Sequence, residues 1–134
     1  MWITSTSGFY SAVQHRDNPA HVMVRARSEQ DIVNLVNLIS ADSDGPCLDD
    51  IVESHTGDYQ WRVTMPRESW AMALVLLAGP DHLDYDNFKN AVARTNPARA
   101  KLYHGAWDVY FDIQAHAPRY DAGHRSALPF HFDS

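Results

Sequence analysis

Apolar and polar residues alternate in four short stretches of the chain, and alternation with a period of two predicts β-strands. These stretches are residues 8–14, 21–27, 51–55 and 59–65. A turn-rich segment at 15–20 joins the first two, and residues 56–58, which include Gly57, join the last two. The sequence therefore predicts two β-hairpins.

Each predicted hairpin is followed by apolar residues at helical spacing, which predicts a helix after each one. Ser28, with Asp31 three residues later, resembles the capping box that begins a helix. Pro66 suits the first position of a second helix, and Gly79 with Pro80 ends it. Two hairpin–helix units predict an α+β fold with a four-stranded antiparallel sheet and helices on one face. The residues that we expect in the core are Val24, Ile32, Val36, Trp61, Leu74 and Val109.

Two further helices are predicted in the C-terminal half, at residues 84–94 and from Pro97, which Asn96 can cap, to about residue 115. The last helix carries an apolar stripe, expected to pack inward, and an aromatic stripe beside it. Residues 115–134 lack periodicity, so we expect a single domain at 1–114 and an irregular C-terminal extension at 115–134. The apolar stripe is Leu102, Ala106, Val109 and Ile113, and the aromatic stripe is Tyr103, Trp107 and Tyr110.

Composition narrows the class of protein. The 134 residues are 45% hydrophobic and 21% charged, which is typical of one globular domain. Cys47 is the one cysteine, so no disulfide framework is expected. The start of the chain does not resemble a signal peptide. The longest apolar run, residues 70–79, is too short to span a membrane. We therefore expect a cytoplasmic protein. The formal net charge of −6 argues against general nucleic-acid binding, which needs a basic face.

Strand alternation places several arginines on the sheet face that the helices leave open. Arg25 and Arg27 alternate with apolar residues on the second strand, and Arg62 and Gln60 do so on the fourth, where Tyr59, Trp61 and Val63 are expected on the apolar side. Arginine is suited to phosphate or carboxylate. The predicted ligand-binding residues are Arg25, Arg27, Arg62, Gln60 and Tyr10. The alternative is that the arginines pair with Glu53 on the neighbouring strand or with the C-terminal extension, or are simply solvated.

Catalytic and metal-binding motifs are incomplete. Asp84 and Asp86 followed by Lys89 resemble part of a nuclease site, but Asp86 is more simply a helix cap. His116, His124 and His131 do not form a metal-binding motif. We therefore predict no catalytic residue, metal ligand or cofactor.

Surplus apolar residues predict a protein interface. The helix after Pro66 is apolar nearly all round, so either the last helix or another subunit covers its second side. Aromatic residues are the usual anchors of interfaces. The predicted interface residues are Trp70, Tyr103, Trp107 and Tyr110.

Four segments, residues 8–13, 24–27, 58–63 and 84–89, resemble a family of small bacterial and phage proteins of unknown function. The resemblance implies a compact α+β domain and no mechanism. The favoured function is a non-enzymatic protein-interaction module that self-associates or binds a protein partner, and a phage or mobile-element inhibitor of a host system would fit. The alternatives are a binder of a small anionic ligand such as a nucleotide and, third, a phosphate-ester hydrolase.

Overall fold

The computed structural model of the chain describes residues 1–79, 81–82 and 88–120. The described strands and helices are β1 (Trp2–Thr4), β2 (Phe9–Gln14), β3 (His21–Ala26), α1 (Glu29–Leu38), β4 (Val52–Glu53), β5 (Trp61–Pro66), α2 (Arg67–Leu77), α3 (Phe88–Thr95) and α4 (Pro97–His116). A short 3-10 helix, Leu48–Asp50, precedes β4.

The sheet is antiparallel throughout and has the order β1-β2-β3-β5-β4. The predicted α+β class and antiparallel sheet are confirmed, but the number of strands is wrong, because the sheet has five. The additional strand, β1, is only three residues long. Its start is held by Met1, whose carbonyl accepts from the Ala12 N–H at 2.8 Å and whose ammonium group donates to the Ala12 carbonyl at 2.9 Å.

The core fills the space between one face of the sheet and helices α1 and α2. On β3, Val22, Val24 and Ala26 are buried and alternate with partly exposed residues, as the period of a strand requires. Of the residues expected in the core, Val24, Ile32 and Val36 are buried, and Trp61 and Leu74 are partly buried against it. The two hairpin–helix units therefore share one apolar layer.

The helix boundaries follow from local hydrogen bonds. Ser28 Oγ accepts from the Asp31 N–H at 3.4 Å, as a capping residue does, but the Asp31 carboxylate accepts from the Phe9 N–H at 3.0 Å instead of returning to Ser28. Pro66 ends β5 and immediately precedes α2, one position earlier than predicted. The prediction for Asn96 is confirmed, since its side chain accepts from the Arg99 N–H at 3.0 Å.

Helix α4 is oriented differently from the expectation. Leu102, Val109 and Ile113 were expected to pack inward, and this is wrong, because each is at least 66% exposed. The helix is instead attached by Arg99, which bonds Asp31, and by Tyr103, whose hydroxyl donates to the Ser5 carbonyl at 3.1 Å. These two residues lie on a different side of α4, and their contacts turn the apolar stripe away from the sheet.

Helix α4 ends at His116, which agrees with the predicted end at about residue 115. Residues 117–120 follow it without helix or strand, and residues 121–134 lie outside the described part of the chain. Within the described part, no helix combines the length and apolar character needed to cross a membrane.

Candidate functional site

Three arginines, Arg25, Arg27 and Arg62, form a cluster on the open face of the sheet. Arg25 and Arg62 are directly paired across β3 and β5, so their side chains leave the same face of the sheet. Arg27 lies just beyond the end of β3, two residues after Arg25. Arg25 and Arg62 therefore share the open face of the sheet, and their binding of a ligand stays a prediction. We call the three arginines the arginine cluster.

Tyr59 lies at the centre of the arginine cluster. The guanidinium carbons of Arg25 and Arg27 lie 4.5 and 4.7 Å from the centre of its ring. Arg62 Nη2 donates to the Tyr59 carbonyl at 3.2 Å. Tyr59 was expected on the apolar side, which is wrong because it precedes the first residue of β5, where strand alternation no longer applies. The ring supplies a cation–π partner that the sequence did not reveal.

The arginine cluster has few hydrogen-bond acceptors of its own. Arg25 Nη2 donates to Ser11 Oγ at 2.9 Å, and Arg62 Nη1 lies 3.8 Å from Met23 Sδ. The Nε atoms of Arg25 and Arg62 are buried and meet no acceptor among the described residues. Like charges directly opposite each other on neighbouring strands destabilise a sheet. The Arg25–Arg62 pair therefore departs from what sheet stability alone favours.

The other residues predicted for this face lie in different surroundings. Gln60 is exposed and donates to Glu53 Oε1 at 2.9 Å. Within the described part of the chain, Glu53 pairs with Gln60 and His55 and not with an arginine, so the predicted pairing with the cluster is wrong. Tyr10 lies on the opposite face of the sheet, where it is fully buried in the core. Its placement on the arginine face is wrong because Ser11, and not Tyr10, is paired with Arg25.

A groove of about 620 Å³ adjoins the arginine cluster on the same face of the sheet. Arg62 belongs to both, since it also lines the groove together with Met23 and Thr64. The loop between α1 and β4 supplies the opposite wall and places Asp44 and Asp50 there. The groove is therefore lined by one arginine and by two carboxylates.

A second polar group joins α4 to the rest of the molecule. Asp31 Oδ2 accepts from Arg99 Nη1 at 2.6 Å, and Arg99 Nη1 also donates to Tyr103 Oη at 3.3 Å. The Tyr10 hydroxyl donates to the Asp31 carbonyl at 2.8 Å. The hydrogen bond to Asp31 raises the pKa of Arg99, so this arginine stays charged. Burial raises the pKa of both Tyr10 and Tyr103, so these hydroxyls remain donors.

The predicted interface residues divide into two groups. Trp70 is buried in the core of its own chain, and Tyr103 stacks on Phe88 with ring centres 5.9 Å apart. The prediction that Trp70 offers surface to a partner is therefore wrong, whereas Tyr103 is partly exposed and its role stays a prediction. Trp107 and Tyr110 are about half exposed, although Lys89 Nζ lies 5.0 Å from the Trp107 ring. Every residue from 104 to 116 is exposed.

The residues suggested for hydrolysis or metal binding are only partly within the described structure. Asp84 and Asp86 lie outside the described residues, and Lys89 is exposed beside Trp107. His116 ends α4, whereas His124 and His131 lie outside the described residues. Among residues 1–79, 81–82 and 88–120, no three His, Cys, Asp or Glu side chains are close enough to hold a metal ion.

Comparison with protein-family models finds no match, and neither curated proteins nor solved structures match the chain. The resemblance to small bacterial and phage proteins therefore stays a prediction.

Proposed function

We propose that the chain is a protein-interaction module that pairs with a second copy of itself through one side of α4. The observation that carries this proposal is the exposure of the α4 apolar stripe, which consists of Leu102, Ala106, Val109 and Ile113. Leu102, Val109 and Ile113 are 66–70% exposed. A helix at the surface of a monomer normally turns its polar side outward.

The spacing of the α4 apolar stripe favours a second helix as its partner. Its members are four, three and four residues apart, which is the spacing of the seam between two paired helices. Contiguous exposed apolar patches of this kind mark interaction surfaces. Isolated helices of fewer than about 12–15 residues are marginal in water, so a partner helix would also stabilise the exposed part of α4.

Charge favours a second copy in the antiparallel orientation. Lys101 and Asp112 lie on the same flank of the α4 apolar stripe, near its two ends. When two α4 helices run antiparallel with Ala106 opposite Val109 of the partner copy, Lys101 of each copy lies near Asp112 of the other. In a parallel pair, residues on the same flank of the two helices lie on opposite sides of the contact, so neither charge would have this partner.

Light scattering after size-exclusion chromatography tests the proposal. The unmodified chain should have about twice the mass of one copy, which is 15.2 kDa. Val109→Glu should give a folded monomer, because a buried unpaired carboxylate disfavours the contact. Val75→Glu is the matched control, since Val75 on α2 is 72% exposed and lies off the stripe. An equal effect of both variants would contradict the proposal.

A further inference from the structure

The arginine cluster lies on the open face of the sheet and is separate from the α4 apolar stripe. Within the described residues, no carboxylate lies within 4.0 Å of a nitrogen of Arg25, Arg27 or Arg62. Their positive charges therefore repel one another, and the buried Nε atoms of Arg25 and Arg62 meet no acceptor there. A bound oxyanion would offset this repulsion and would accept from the exposed guanidinium group of Arg27.

Geometry prepares the arginine cluster for such an anion. The guanidinium groups of Arg25 and Arg27 lie over the Tyr59 ring. Arg25 also donates to Ser11, and Arg62 donates to the Tyr59 carbonyl. A guanidinium that stacks on a ring keeps the N–H edge that binds phosphate through two hydrogen bonds. Because these contacts order the side chains in advance, less conformational entropy is lost when an anion binds.

The adjoining groove identifies the rest of the ligand. Its volume, about 620 Å³, lies within the range of about 300–1,000 Å³ that small-molecule sites occupy. Met23, Pro46 and Val52 give it apolar walls beyond Arg62. Asp44 and Asp50 line it on the loop side, where they disfavour a second anionic group and can accept from hydroxyl or amino groups.

We infer that the arginine cluster and the groove together bind a small phosphate monoester. Its phosphate contacts Arg25, Arg27 and Arg62, and its uncharged end lies in the groove with hydrogen-bond donors near Asp44. A nucleoside monophosphate has this combination of one phosphate and several hydroxyl and amino donors. The inference does not depend on pairing through α4, because the two surfaces share no residue.

Isothermal titration calorimetry of the full chain with nucleoside 5′-monophosphates, adenosine and inorganic phosphate tests the inference. At least one of the adenosine, guanosine, cytidine and uridine monophosphates should bind saturably, and more tightly than inorganic phosphate or adenosine. Arg62→Gln and Arg25→Gln should each weaken this binding by about tenfold or more, because each removes charge-assisted hydrogen bonds. Arg16→Gln, in the exposed turn between β2 and β3, should leave it unchanged.

The acidic residues of the groove allow a second comparison that does not alter the arginines. The corresponding triphosphate should bind more weakly than the monophosphate, and Asp44→Asn should reduce this difference, because Asp44 repels the additional phosphates. Circular dichroism of each variant shows whether it is folded. If Arg62→Gln does not fold, the Asp44→Asn comparison still tests the inference.

Four results would overturn the inference. They are the absence of saturable binding by all four monophosphates, equal affinity for inorganic phosphate and the monophosphates, an equal loss of binding in Arg16→Gln, and a difference in affinity between monophosphate and triphosphate that Asp44→Asn does not reduce. None of these results bears on the mass of the protein in solution, so they are distinguishable from a failure of the α4 contact.

Discussion

Arg99 Nη1 lies 2.6 Å from Asp31 Oδ2, and this contact joins the first turn of α4 to the first turn of α1. The side chain of Asp31 is 8% exposed and that of Arg99 is 21% exposed. Asp31 also accepts from the Phe9 N–H, so the first residue of β2 contacts the same carboxylate. The orientation of α4, and with it the exposure of its apolar stripe, depends on this contact.

Replacing Arg99 by methionine should lower the free energy of unfolding by about 1–3 kcal/mol, because a mostly buried carboxylate loses its charged partner. The loss of stability should stay below the largest values known for buried ion pairs. The Asp31 carboxylate keeps its hydrogen bond from the Phe9 N–H and its favourable interaction with the N-terminus of α1. Denaturant unfolding measures the change. Arg16→Met, on an exposed turn, serves as the control and should change the free energy by less than about 0.5 kcal/mol. Equal values for the two variants would contradict the role of Arg99.

Gly8 approaches the same carboxylate closely. A Cβ atom at this position would lie 2.6 Å from Asp31 Cγ, and the backbone φ is +158°. Gly8→Ala should therefore lower the free energy of unfolding by about 1–3 kcal/mol, because Asp31 must move away from the Phe9 N–H. Gly105→Ala should instead raise it by about 0.5–1 kcal/mol, since a Cβ there meets no atom within 4 Å and alanine favours a helix. Thermal unfolding measures both changes. A Gly8→Ala variant that unfolds at the same temperature as the unmodified chain would contradict the close approach of Gly8 to Asp31.

Alkaline pH should destabilise the fold. Burial raises the pKa of Tyr10 and Tyr103 above the value of about 10 for tyrosine in an unfolded chain. A raised pKa stabilises the folded state fully below pH 10, and this contribution decreases as pH rises above it, because the unfolded chain loses its protons first. Denaturant unfolding at several pH values should show the decrease, and Tyr103→Phe should reduce its slope. A free energy of unfolding that stays level above pH 10 would contradict the assigned environments.

The hairpins, helices and core of the fold were predictable because they depend on local periodicity. Alternation along β3 placed Val24 in the core and Arg25 on the open face, and the same rule placed Arg62 on that face, but it did not predict that Arg25 and Arg62 are paired. Strand β1 was missed because three residues are too few to establish a period. Its signal was Trp2, Ile3 and Thr4, which all favour strands, before a turn that ends at Gly8.

The contacts of the candidate sites were less predictable because they join residues far apart in sequence. Periodicity identified two stripes on α4 but could not show which one faces the sheet, since the contacts of Arg99 with Asp31 and of Tyr103 with Ser5 decide this. Tyr59 was placed on the wrong side because alternation ends where β5 begins. The sequence therefore predicted the arginines but not the ring that they share.

Exchanging two charges tests the orientation of the proposed α4 pair. Lys101→Glu and Asp112→Lys should each shift the equilibrium toward monomer, because each places like charges together in the antiparallel pair. The double variant should restore the association of the unmodified chain. Sedimentation velocity at low ionic strength is the measurement, since salt screens such pairs. If the double variant dissociates as much as the single variants together, the antiparallel orientation is wrong.

The central claim is that the exposed stripe of α4 is covered by a second copy of the chain. Sedimentation equilibrium of the unmodified protein over a range of micromolar concentrations tests it most directly. The claim predicts a mass that rises with concentration from 15.2 kDa for one copy to about twice that value. A mass of one copy at every concentration would contradict it.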